Sequence, residues 1–486
     1  MSSPLLWVVL PMLAGFGLWF LRSRYATMAL VASLFCLVLA LLAWVAPIGE
    51  AVRIGPLSIE IDPTLEFAGR SLNLDNGSRA FLVYLYVLCA FWFAGSVAAG
   101  ANRLLIPFGL GITGLLVGAL AVEPFLYAAL LVEMAVLLAV PILAPPGRWF
   151  GQGVLRFLIF QTLAMPFILL AGWALAGVEA NPVNTTLTTL ATVFLGLGFA
   201  FWLAVFPFYT WIPLLAEQSY PYVSGFFFLM LSSVTLLLGL NFLDRFGWLR
   251  ALPNLYPVIG QVGALMIVTA GLWAAFQQNL SRLFGYGVIV ETGFSLLAIS
   301  LSSRLGLDLF ASMFLPRMIM LGLWALSLSV LLQRTGSTRF EDARGMVQKL
   351  PFAAAGLAVA SLSLAGLPLL AAFPIRQVLM EEVARQSLSS ALWALIGTVG
   401  MLYSTFRALV ILAREPSNRL EEAAAAPEPV DLSAATSPTP SRSFLESPVQ
   451  VVLLLIGITG LLFIGLFPQA FLPITAGLLS RFTQLP

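Results

Sequence analysis

The sequence has few charged residues, no histidine and a single lysine. Only 9% of its 486 residues are charged and 60% are hydrophobic, whereas a soluble domain carries about 25% charged residues. A soluble fold of this length needs a much larger polar surface, so lipid must solvate the chain. The lack of histidine excludes the commonest metal ligand and the one side chain that titrates near neutral pH without perturbation. Lys349 is the only lysine among 24 basic residues.

Motifs for bound cofactors are also absent from the sequence. Cys36 and Cys89 stand alone inside apolar runs, which predicts hydrophobic packing and not a disulfide, metal or iron–sulfur site. There is no phosphate-binding glycine loop, no dinucleotide fingerprint and no Ser–His–Asp set. The net charge of +2 does not indicate a nucleic-acid partner. We therefore expect no cofactor in this chain and assign any redox chemistry to other subunits.

Long apolar runs dominate the sequence. A bilayer core about 30 Å thick needs about 20 apolar residues per helix, and fourteen runs approach this length. They predict an all-α polytopic membrane protein whose termini lie on the same side, because the number of helices is even. The runs are 4–21, 25–46, 80–100, 104–122, 124–144, 152–177, 185–206, 221–243, 256–276, 283–302, 306–332, 351–380, 388–413 and 449–480.

The arginines between these runs indicate an orientation. Alternate loops lie on opposite sides of the membrane, and one of the two sets carries fewer basic residues: Arg53, Arg70, Arg79, Arg245, Arg250, Arg304 and Arg385. The richer set is Arg22, Arg24, Arg103, Arg148, Arg156, Arg282, Arg334, Arg339, Arg344, Lys349, Arg407, Arg414 and Arg419. The positive-inside rule makes the richer set cytoplasmic. Both termini are then expected outside a membrane that we take to be a bacterial plasma membrane.

Two segments differ from the apolar runs in composition. Residues 47–79 mix acidic side chains with alternating stretches such as LSIEI at 57–61, which predicts a small external β-hairpin. Residues 415–446 are rich in Pro, Ala, Ser and Glu, which predicts a disordered cytoplasmic linker. The predicted units are 1–100 with three helices, 101–245 and 250–414 with five helices each, the linker 415–446, and a C-terminal helix in 447–486.

Prolines interrupt two of the predicted helices. Pro207 and Pro213 break helix 7, and Gly366, Pro368 and Pro374 break helix 12. A break frees backbone groups that lipid cannot satisfy, so each break must face protein or a water-filled cavity. The breaks lie five helices apart, which suggests a repeating unit of five helices. A unit with an odd number of helices begins and ends on opposite sides of the membrane, so a second copy that follows it in the chain is inverted. Helices 4–8 and 9–13 are therefore predicted to be inverted repeats of the kind found in transporters.

A few polar residues fall at membrane depth, where ionisable groups are costly and usually functional. Counting 1.5 Å per residue places Glu133 near the bilayer centre and Gln161 of the next helix at about the same depth. We expect Glu133 to be protonated and hydrogen-bonded to Gln161 or to a backbone carbonyl. The alternative is that Glu133 only locks helix packing.

Glu291 and Arg317 are equally far along the chain from Arg304, which marks the turn between their helices. Antiparallel neighbours then bring them level, and a buried ion pair follows because neither charge is tolerated alone. The pair could conduct or only fix the two helices, and Arg317→Ala is expected to harm assembly more than Glu291→Gln. Arg376 follows the break in helix 12 and is expected inside the fold, with no evident anionic partner. Alternatively, the Arg376 side chain extends outward to the membrane surface.

Three motifs carry a family resemblance over about residues 105–410. The run WLAVFPFYTWIPLLAEQSYPYVSG (202–225) is similar to the helix 7–8 signature of the antiporter-like, proton-conducting subunits of respiratory complex I. QQNLSRLFGYGVIVETGF (277–294) resembles the family's helix 10 segment. ARGMVQKLP (343–351) and SLAGLPLLAAFPIR (363–376) resemble its helix 12 region. Length favours the M and N types and the D subunit of multisubunit cation/proton antiporters.

The departures from this pattern concern the ionisable residues that the resemblance implies. The family's helix 7 lysine falls at Trp202 and its histidine at Tyr209, while a helix 8 lysine falls near Ser233. The helix 11 lysine falls at Arg317 and the helix 12 lysine or glutamate at Arg376, and only the helix 5 glutamate is kept, as Glu133. Lysine can lose its proton when buried, whereas arginine effectively cannot. The resemblance therefore implies a proton route with a degenerate lysine relay.

Three functions remain open at this point. The first is a membrane-arm subunit of a complex I-type NADH–quinone oxidoreductase, itself non-catalytic, bound to other membrane subunits and involved in proton translocation. The second is a subunit of a multisubunit cation/proton antiporter, a membrane-bound hydrogenase or an inorganic-carbon uptake complex. The third is a structural spacer without ion flow, which the missing lysines favour.

Overall fold

Helices form where the sequence carries its long apolar runs. The computed structural model describes residues 2–54, 57–67, 69–144, 151–180, 185–414 and 446–485. A π-helical turn at Leu5–Val9 leads into the first α-helix. The α-helices are α1 (Leu10–Trp19), α2 (Tyr25–Val45), α3 (Arg79–Gly95), α4 (Leu105–Ala121), α5 (Ala128–Leu143), α6 (Gln152–Ala180), α7 (Thr185–Trp202), α8 (Trp211–Gln218), α9 (Pro221–Arg245), α10 (Gly247–Arg250), α11 (Leu255–Ala275), α12 (Leu280–Ser300), α13 (Arg304–Ser312), α14 (Phe314–Thr335), α15 (Met346–Lys349), α16 (Pro351–Leu364), α17 (Phe373–Gln386), α18 (Leu388–Ala413), α19 (Pro448–Leu466) and α20 (Leu472–Ala476).

The lengths of these helices agree with a membrane-spanning chain. Within the described residues, ten helical segments are long and apolar enough to cross a bilayer by length and composition. Four of the predicted spans contain shorter apolar helices, at Leu5–Trp19, Leu105–Ala121, Thr186–Trp202 and Pro351–Leu364. The last two of these are each followed by a second half-helix across a break. The all-α polytopic class is confirmed, whereas the number fourteen stays a prediction.

The two predicted breaks are present and contain Pro207, Gly366 and Pro368, whereas Pro213 and Pro374, also predicted to break these helices, lie in the first turns of α8 and α17. The first lies between α7 and α8 at residues 203–210, and the second lies between α16 and α17 at residues 365–372. The breaks have the same length, and in each the second residue after the first half-helix has a positive φ, Ala204 at 55° and Gly366 at 74°. A left-handed residue of this kind closes a helix C-terminus by a hydrogen bond back across the last turn. The closing bonds run from Val205 N to Ala200 O at 2.9 Å and from Leu367 N to Leu362 O at 3.0 Å.

This matching geometry supports the prediction of two repeats. Glycine adopts a positive φ without steric penalty, whereas the Cβ of Ala204 makes that conformation costly. The chain nevertheless uses the same turn at both breaks, so the backbone conformation repeats although the residue type does not. The pseudo-two-fold relation between helices 4–8 and 9–13, and the boundaries of the five units, stay predictions.

Three membrane-spanning segments form the buried centre of the bundle. In α9, α12 and the α13–α14 pair, 83–94% of the most apolar window is buried inside the chain. In α2, α6, α18 and α19 the buried share is 28–44%, so these helices expose apolar side chains at the periphery. An apolar periphery is what lipid-facing helices require. The central helices α12 and α14 carry Glu291 and Arg317.

The segment at 47–79 forms two hairpins, whereas the alternating sequence pattern predicted one. Strands β1 (Ala51–Ile54) and β2 (Leu57–Glu60) pair antiparallel, as do β3 (Thr64–Phe67) and β4 (Arg70–Asn73). The short strand β5 (Val122–Glu123) adds to β4. The single-hairpin prediction was wrong because the alternating pattern contains two separate reversals of direction, not one.

Both ends of the chain pack against this segment. The Ser3 amide donates to the Asp62 carbonyl at 2.7 Å, and the Ser480 hydroxyl donates to the Gly77 carbonyl at 3.1 Å. The termini therefore lie on the same side of the bundle, as the even number of helices predicts. Of the predicted linker 415–446, residues 415–445 lie outside the described residues, and Glu446 accepts hydrogen bonds from the backbone amides of Phe352 and Ala353. These bonds satisfy free N–H groups at the start of α16.

Candidate functional site

A buried ion pair joins α12 and α14 at the centre of the bundle. Arg317 Nε lies 3.5 Å from Glu291 Oε2, and Arg317 Nη2 donates to the Glu291 carbonyl at 3.0 Å. The side chains are 1% and 6% exposed. Arg317 also donates to the Ser295 hydroxyl, one turn along α12. The contact predicted from the equal offsets around Arg304 is therefore present.

The position of Arg317 depends on an interruption in the predicted helix 11. The helix is divided at Met313 into α13 and α14, and Arg317 lies in the first turn of α14. Pro316 precedes Arg317 and has no N–H to bond the carbonyl of Ser312, so a helix is weakened at this point. The Arg317 amide makes the ordinary α-helical bond to the carbonyl four residues back, that of Met313, at 3.0 Å, so regular helical bonding resumes at Arg317. The local sequence thus begins a new helix where the guanidinium has to face α12.

Arg376 shares the same carboxylate. Its Nη2 donates to Glu291 Oε1, its Nη1 donates to the Leu364 carbonyl, and its guanidinium carbon lies 4.1 Å from the centroid of the Phe294 ring. Arg376 is only 6% exposed. The expectation that Arg376 has no anionic partner was wrong, and it does not extend outward. The sequence could not reveal the pairing because Glu291 and Arg376 are far apart in the chain and on helices whose rotation it does not specify.

Two arginines and one glutamate therefore form a central triad of Glu291, Arg317 and Arg376. Its formal charges leave one net positive charge in the interior. Both carboxylate oxygens of Glu291 face a guanidinium, so loss of its negative charge leaves two buried cations facing each other. Arg376 also lies at the C-terminal end of α16, where the helix dipole places partial negative charge. The triad is stabilised by these contacts and fixes the positions of α12, α14 and α17.

A hydroxyl pair lies next to the triad. Ser233 Oγ of α9 is 3.3 Å from the hydroxyl of Tyr84 on α3. The Tyr84 ring packs edge-on against Phe314 with centroids 5.1 Å apart, and the guanidinium carbon of Arg317 lies 5.8 Å from the same Phe314 ring. The Phe314 ring therefore lies close to both the hydroxyl pair and the triad.

Tyr84 was missed in the sequence analysis. Tyr84 lies in the third apolar run, outside residues 105–410, which carry the family resemblance. The available signal was a hydroxyl in the middle of a long apolar helix. A buried tyrosine hydroxyl usually finds a hydrogen-bond partner, and here that partner is the predicted site residue Ser233.

Glu133 has a different partner from the one predicted. Its Oε1 accepts a hydrogen bond from the Thr162 hydroxyl at 2.8 Å. Gln161 turns away and donates to the Phe201 carbonyl on α7 at 3.3 Å. Glu133 is half-buried, and its Oε2 has no hydrogen-bond partner among the described residues. The depth estimate was adequate, but neighbouring helical residues point about 100° apart, so Thr162 and not Gln161 faces α5.

Tyr209 and the first break form a separate aromatic region. Tyr209 lies in the turn Phe208–Thr210, with its ring 6.3 Å from that of Tyr286 and 5.9 Å from that of Phe206. Trp202, at the end of α7, is buried and packs edge-on against Phe199 at 5.4 Å. Among the described residues, the structure gives no hydrogen bond or ion pair from Glu133, Gln161 or Tyr209 to the triad. The predicted site residues therefore fall into separate groups.

The described residues offer no evident metal site. Among them no group of three or more His, Cys, Asp or Glu side chains could hold a metal ion.

Comparisons with known proteins agree with this architecture. A family model described as NADH:quinone oxidoreductase/Mrp antiporter, transmembrane, matches residues 77–404. The chain is 29% identical over 258 residues to NADH-quinone oxidoreductase subunit N of Desulfitobacterium hafniense, covering 49% of this chain and 50% of that protein. The chain thus spans about half the length of this curated relative.

Solved structures extend the likeness to the whole fold. A chain of the Mrp complex from Dietzia sp. DQ12-45-1b superimposes with a TM-score of 0.76 at 18% identity, covering 99% of this chain and 97% of that one. A chain of respiratory complex I from Thermus thermophilus with bound NADH gives a TM-score of 0.74 at 20% identity, covering 99% of both chains. These likenesses establish the fold. With the family model and the helix lengths, they identify an integral multi-pass membrane protein.

Proposed function

We propose that the chain is an antiporter-like membrane-arm subunit of an NADH:quinone oxidoreductase-type complex. The ground for this proposal is that the chain belongs to the NADH:quinone oxidoreductase/Mrp antiporter transmembrane family. In this proposal it binds other membrane-arm subunits and takes part in proton translocation coupled to electron transfer. It is non-catalytic and carries no redox cofactor, so electrons pass through other subunits. Its membrane is a bacterial plasma membrane, with both termini outside.

The observation that carries this proposal is the triad beside the second break. Ionisable residues inside a membrane protein usually mark an ion or proton path, and broken helices in corresponding halves mark the site in transporters. Glu291 and Arg317 lie on the central helices, and Arg376 lies in the half-helix that follows the break. A membrane protein that needed only stability would be served by apolar packing at this position.

The same residues support a low proton flux through the central route. Arg317 and Arg376 keep their charge because arginine does not deprotonate at physiological pH. Protonation of Glu291 would leave both arginines without a counter-charge. A net positive charge about 5 Å from an arriving proton, at an effective dielectric near 20, repels it by about 3 kcal/mol, which lowers local occupancy more than a hundredfold. Trp202 cannot take up a proton, because its indole N–H is a donor only. Ser233, Tyr84 and Tyr209 can act only together with water.

The decisive experiment restores exchangeable cations in the complete complex. Trp202→Lys combined with Arg376→Lys is compared with wild type in proteoliposomes, with protons moved per electron pair as the readout. We expect the double variant to increase this ratio, while Trp202→Phe, which adds no charge, leaves it unchanged. If wild type already shows the full ratio of lysine-containing relatives and Glu133→Gln lowers it by one channel's share, the low-flux proposal is wrong.

The fixed charges favour one second candidate, a spacer that connects other subunits without ion flow. Membership of the complex is tested separately by purifying the tagged chain and identifying its partners by mass spectrometry. Quinone-site and iron–sulfur subunits support the proposal. Partners limited to cation/proton antiporter, hydrogenase or carbon-uptake subunits would replace the proposed complex by the corresponding assembly.

A further inference from the structure

A polar cavity lies at the end of the bundle opposite the chain termini. It has a volume of about 530 Å³ and is lined by the side chains of four arginines and two glutamates. Arg282 is paired with Glu217 at 2.6 Å. The other three arginines of the cavity form no ion pair within the described part of the chain, and they are Arg339, Arg344 and Arg407.

Two of these arginines present buried donors without acceptors. Arg407 Nη1 donates to the Ala275 carbonyl at 2.7 Å, but its Nε and Nη2 are buried and have no acceptor among the described residues. Arg344 Nε is in the same state. Buried charged donors without partners are costly, and several guanidinium groups around one cavity are the usual arrangement for binding an oxyanion. The cavity therefore has the chemistry of a phosphate site.

The surface beside the cavity indicates where such a phosphate comes from. Arg407 lies on α18, and its bond to Ala275 places it against the end of α11. Apolar and aromatic side chains on these helix ends are half or more exposed: Trp273 at 50%, Phe276 at 72%, Tyr403 at 58%, Phe406 at 50% and Val410 at 51%. Exposed aromatic rings next to cationic groups are typical of the membrane–water boundary. Acyl chains can lie on this surface while a headgroup enters the cavity.

We propose that this cavity binds the phosphate of an anionic phospholipid, held by Arg344 and Arg407, with the acyl chains along the outer faces of α11 and α18. The bound lipid links the loop at 336–350 to the α11–α18 pair through Arg344 and Arg407, which lie on these two parts of the chain. This site is separate from the central triad, and the proposal does not depend on whether the chain conducts protons.

Lipid binding to the complete, delipidated complex tests the proposal by native mass spectrometry. Dioleoyl phosphatidylglycerol is expected to bind about thirtyfold more tightly than dioleoyl phosphatidylcholine, since each of the two arginines near the anionic lipid contributes about 1 kcal/mol. Arg344→Gln should weaken phosphatidylglycerol binding about fivefold and Arg344→Gln with Arg407→Gln by more than tenfold. Arg334→Gln is the matched control, because Arg334 is exposed near the same end of the bundle and lies outside the cavity.

Arg344→Gln keeps the test decisive if the double variant fails to assemble, since Arg344 donates no hydrogen bond in the described structure that could be lost. Equal binding of the two lipids, or an equal loss in Arg334→Gln, would overturn the proposal. Displacement of the lipid by inorganic phosphate at millimolar concentration would identify a soluble phosphate as the ligand instead. Displacement by a synthetic peptide of residues 415–431, which is rich in glutamate, would assign the cavity to a protein segment and equally overturn lipid binding.

Discussion

Arg376 donates a hydrogen bond to the carbonyl of Leu364, the last residue of α16. In a continuous helix this carbonyl would accept from the amide of residue 368, which is Pro368 and has no N–H. The proline thus breaks the helix and also leaves an acceptor free in the interior. The guanidinium that occupies this acceptor reaches Glu291 with its other nitrogen. Pro368 therefore accounts both for the break in the helix and for the free carbonyl to which Arg376 donates.

The first prediction is that Arg376→Lys destabilises the subunit although it keeps the charge. A lysine ammonium lacks the fork geometry of arginine, so it cannot reproduce the bonds to both Glu291 and Leu364. Losing one charged hydrogen bond is expected to cost about 1.5–3 kcal/mol. The measurement is the thermal unfolding midpoint of the purified complex. Arg385→Lys on the same helix is the control, because Arg385 is exposed and pairs only with Glu381 and Glu382. Equal midpoints for wild type and Arg376→Lys would contradict the prediction.

The second prediction concerns the order of damage in the triad. With one arginine beside Glu291, the sequence favours greater harm from Arg317→Ala than from Glu291→Gln. The second arginine reverses this order, because Glu291→Gln leaves two buried guanidinium groups without a counter-charge. Breaking a buried pair in this way costs about 3–5 kcal/mol, whereas Arg317→Ala still leaves the pair of Arg376 and Glu291.

The fraction of subunit assembled in the membrane, read on native gels, checks this order. Glu381→Gln removes an exposed carboxylate from α17 and serves as the control. Should Arg317→Ala prove more damaging than Glu291→Gln, the shared carboxylate is less important than the structure indicates.

The third prediction is that Tyr84 and Ser233 act as a coupled pair. Each of Tyr84→Phe and Ser233→Ala removes the same hydrogen bond and leaves one hydroxyl buried without this partner, at about 1 kcal/mol. The double variant should therefore cost clearly less than the sum of the single variants. Unfolding free energies of the four proteins give the coupling. Additive costs would show that the 3.3 Å contact contributes nothing to stability.

Much of the fold could be predicted because lipid imposes simple requirements on a sequence. Apolar runs of bilayer length locate the helices, and Pro207 and Pro368 lie in the breaks at 203–210 and 365–372. Other prolines, such as Pro141 and Pro166, lie inside continuous helices, so a proline alone does not locate a break. Equal distances from a turn were enough to predict the contact of Glu291 with Arg317, since that contact depends mainly on depth.

The remaining contacts depend on the rotation of helices about their axes, which sequence spacing does not give. Arg376 reaches Glu291 only because the break turns α17 toward α12. Tyr84 meets Ser233 because α3 packs beside the central helices. Both contacts join residues that are far apart in the chain, and neither helix has an amphipathic pattern strong enough to fix its orientation.

The last prediction tests rotation directly at Glu133. The Thr162 hydroxyl donates to its carboxyl group, whereas Gln161 donates to the Phe201 carbonyl. Thr162→Val, which keeps the shape and removes the hydroxyl, should shift the Glu133 carboxyl stretching band in infrared spectra, since a hydrogen bond to the group is lost. Gln161→Leu should leave the band in place, because that amide does not contact Glu133.

Subtracting the spectrum of Glu133→Gln assigns the band. A shift in Gln161→Leu with none in Thr162→Val would mean that α6 is rotated by about one residue from the arrangement found here.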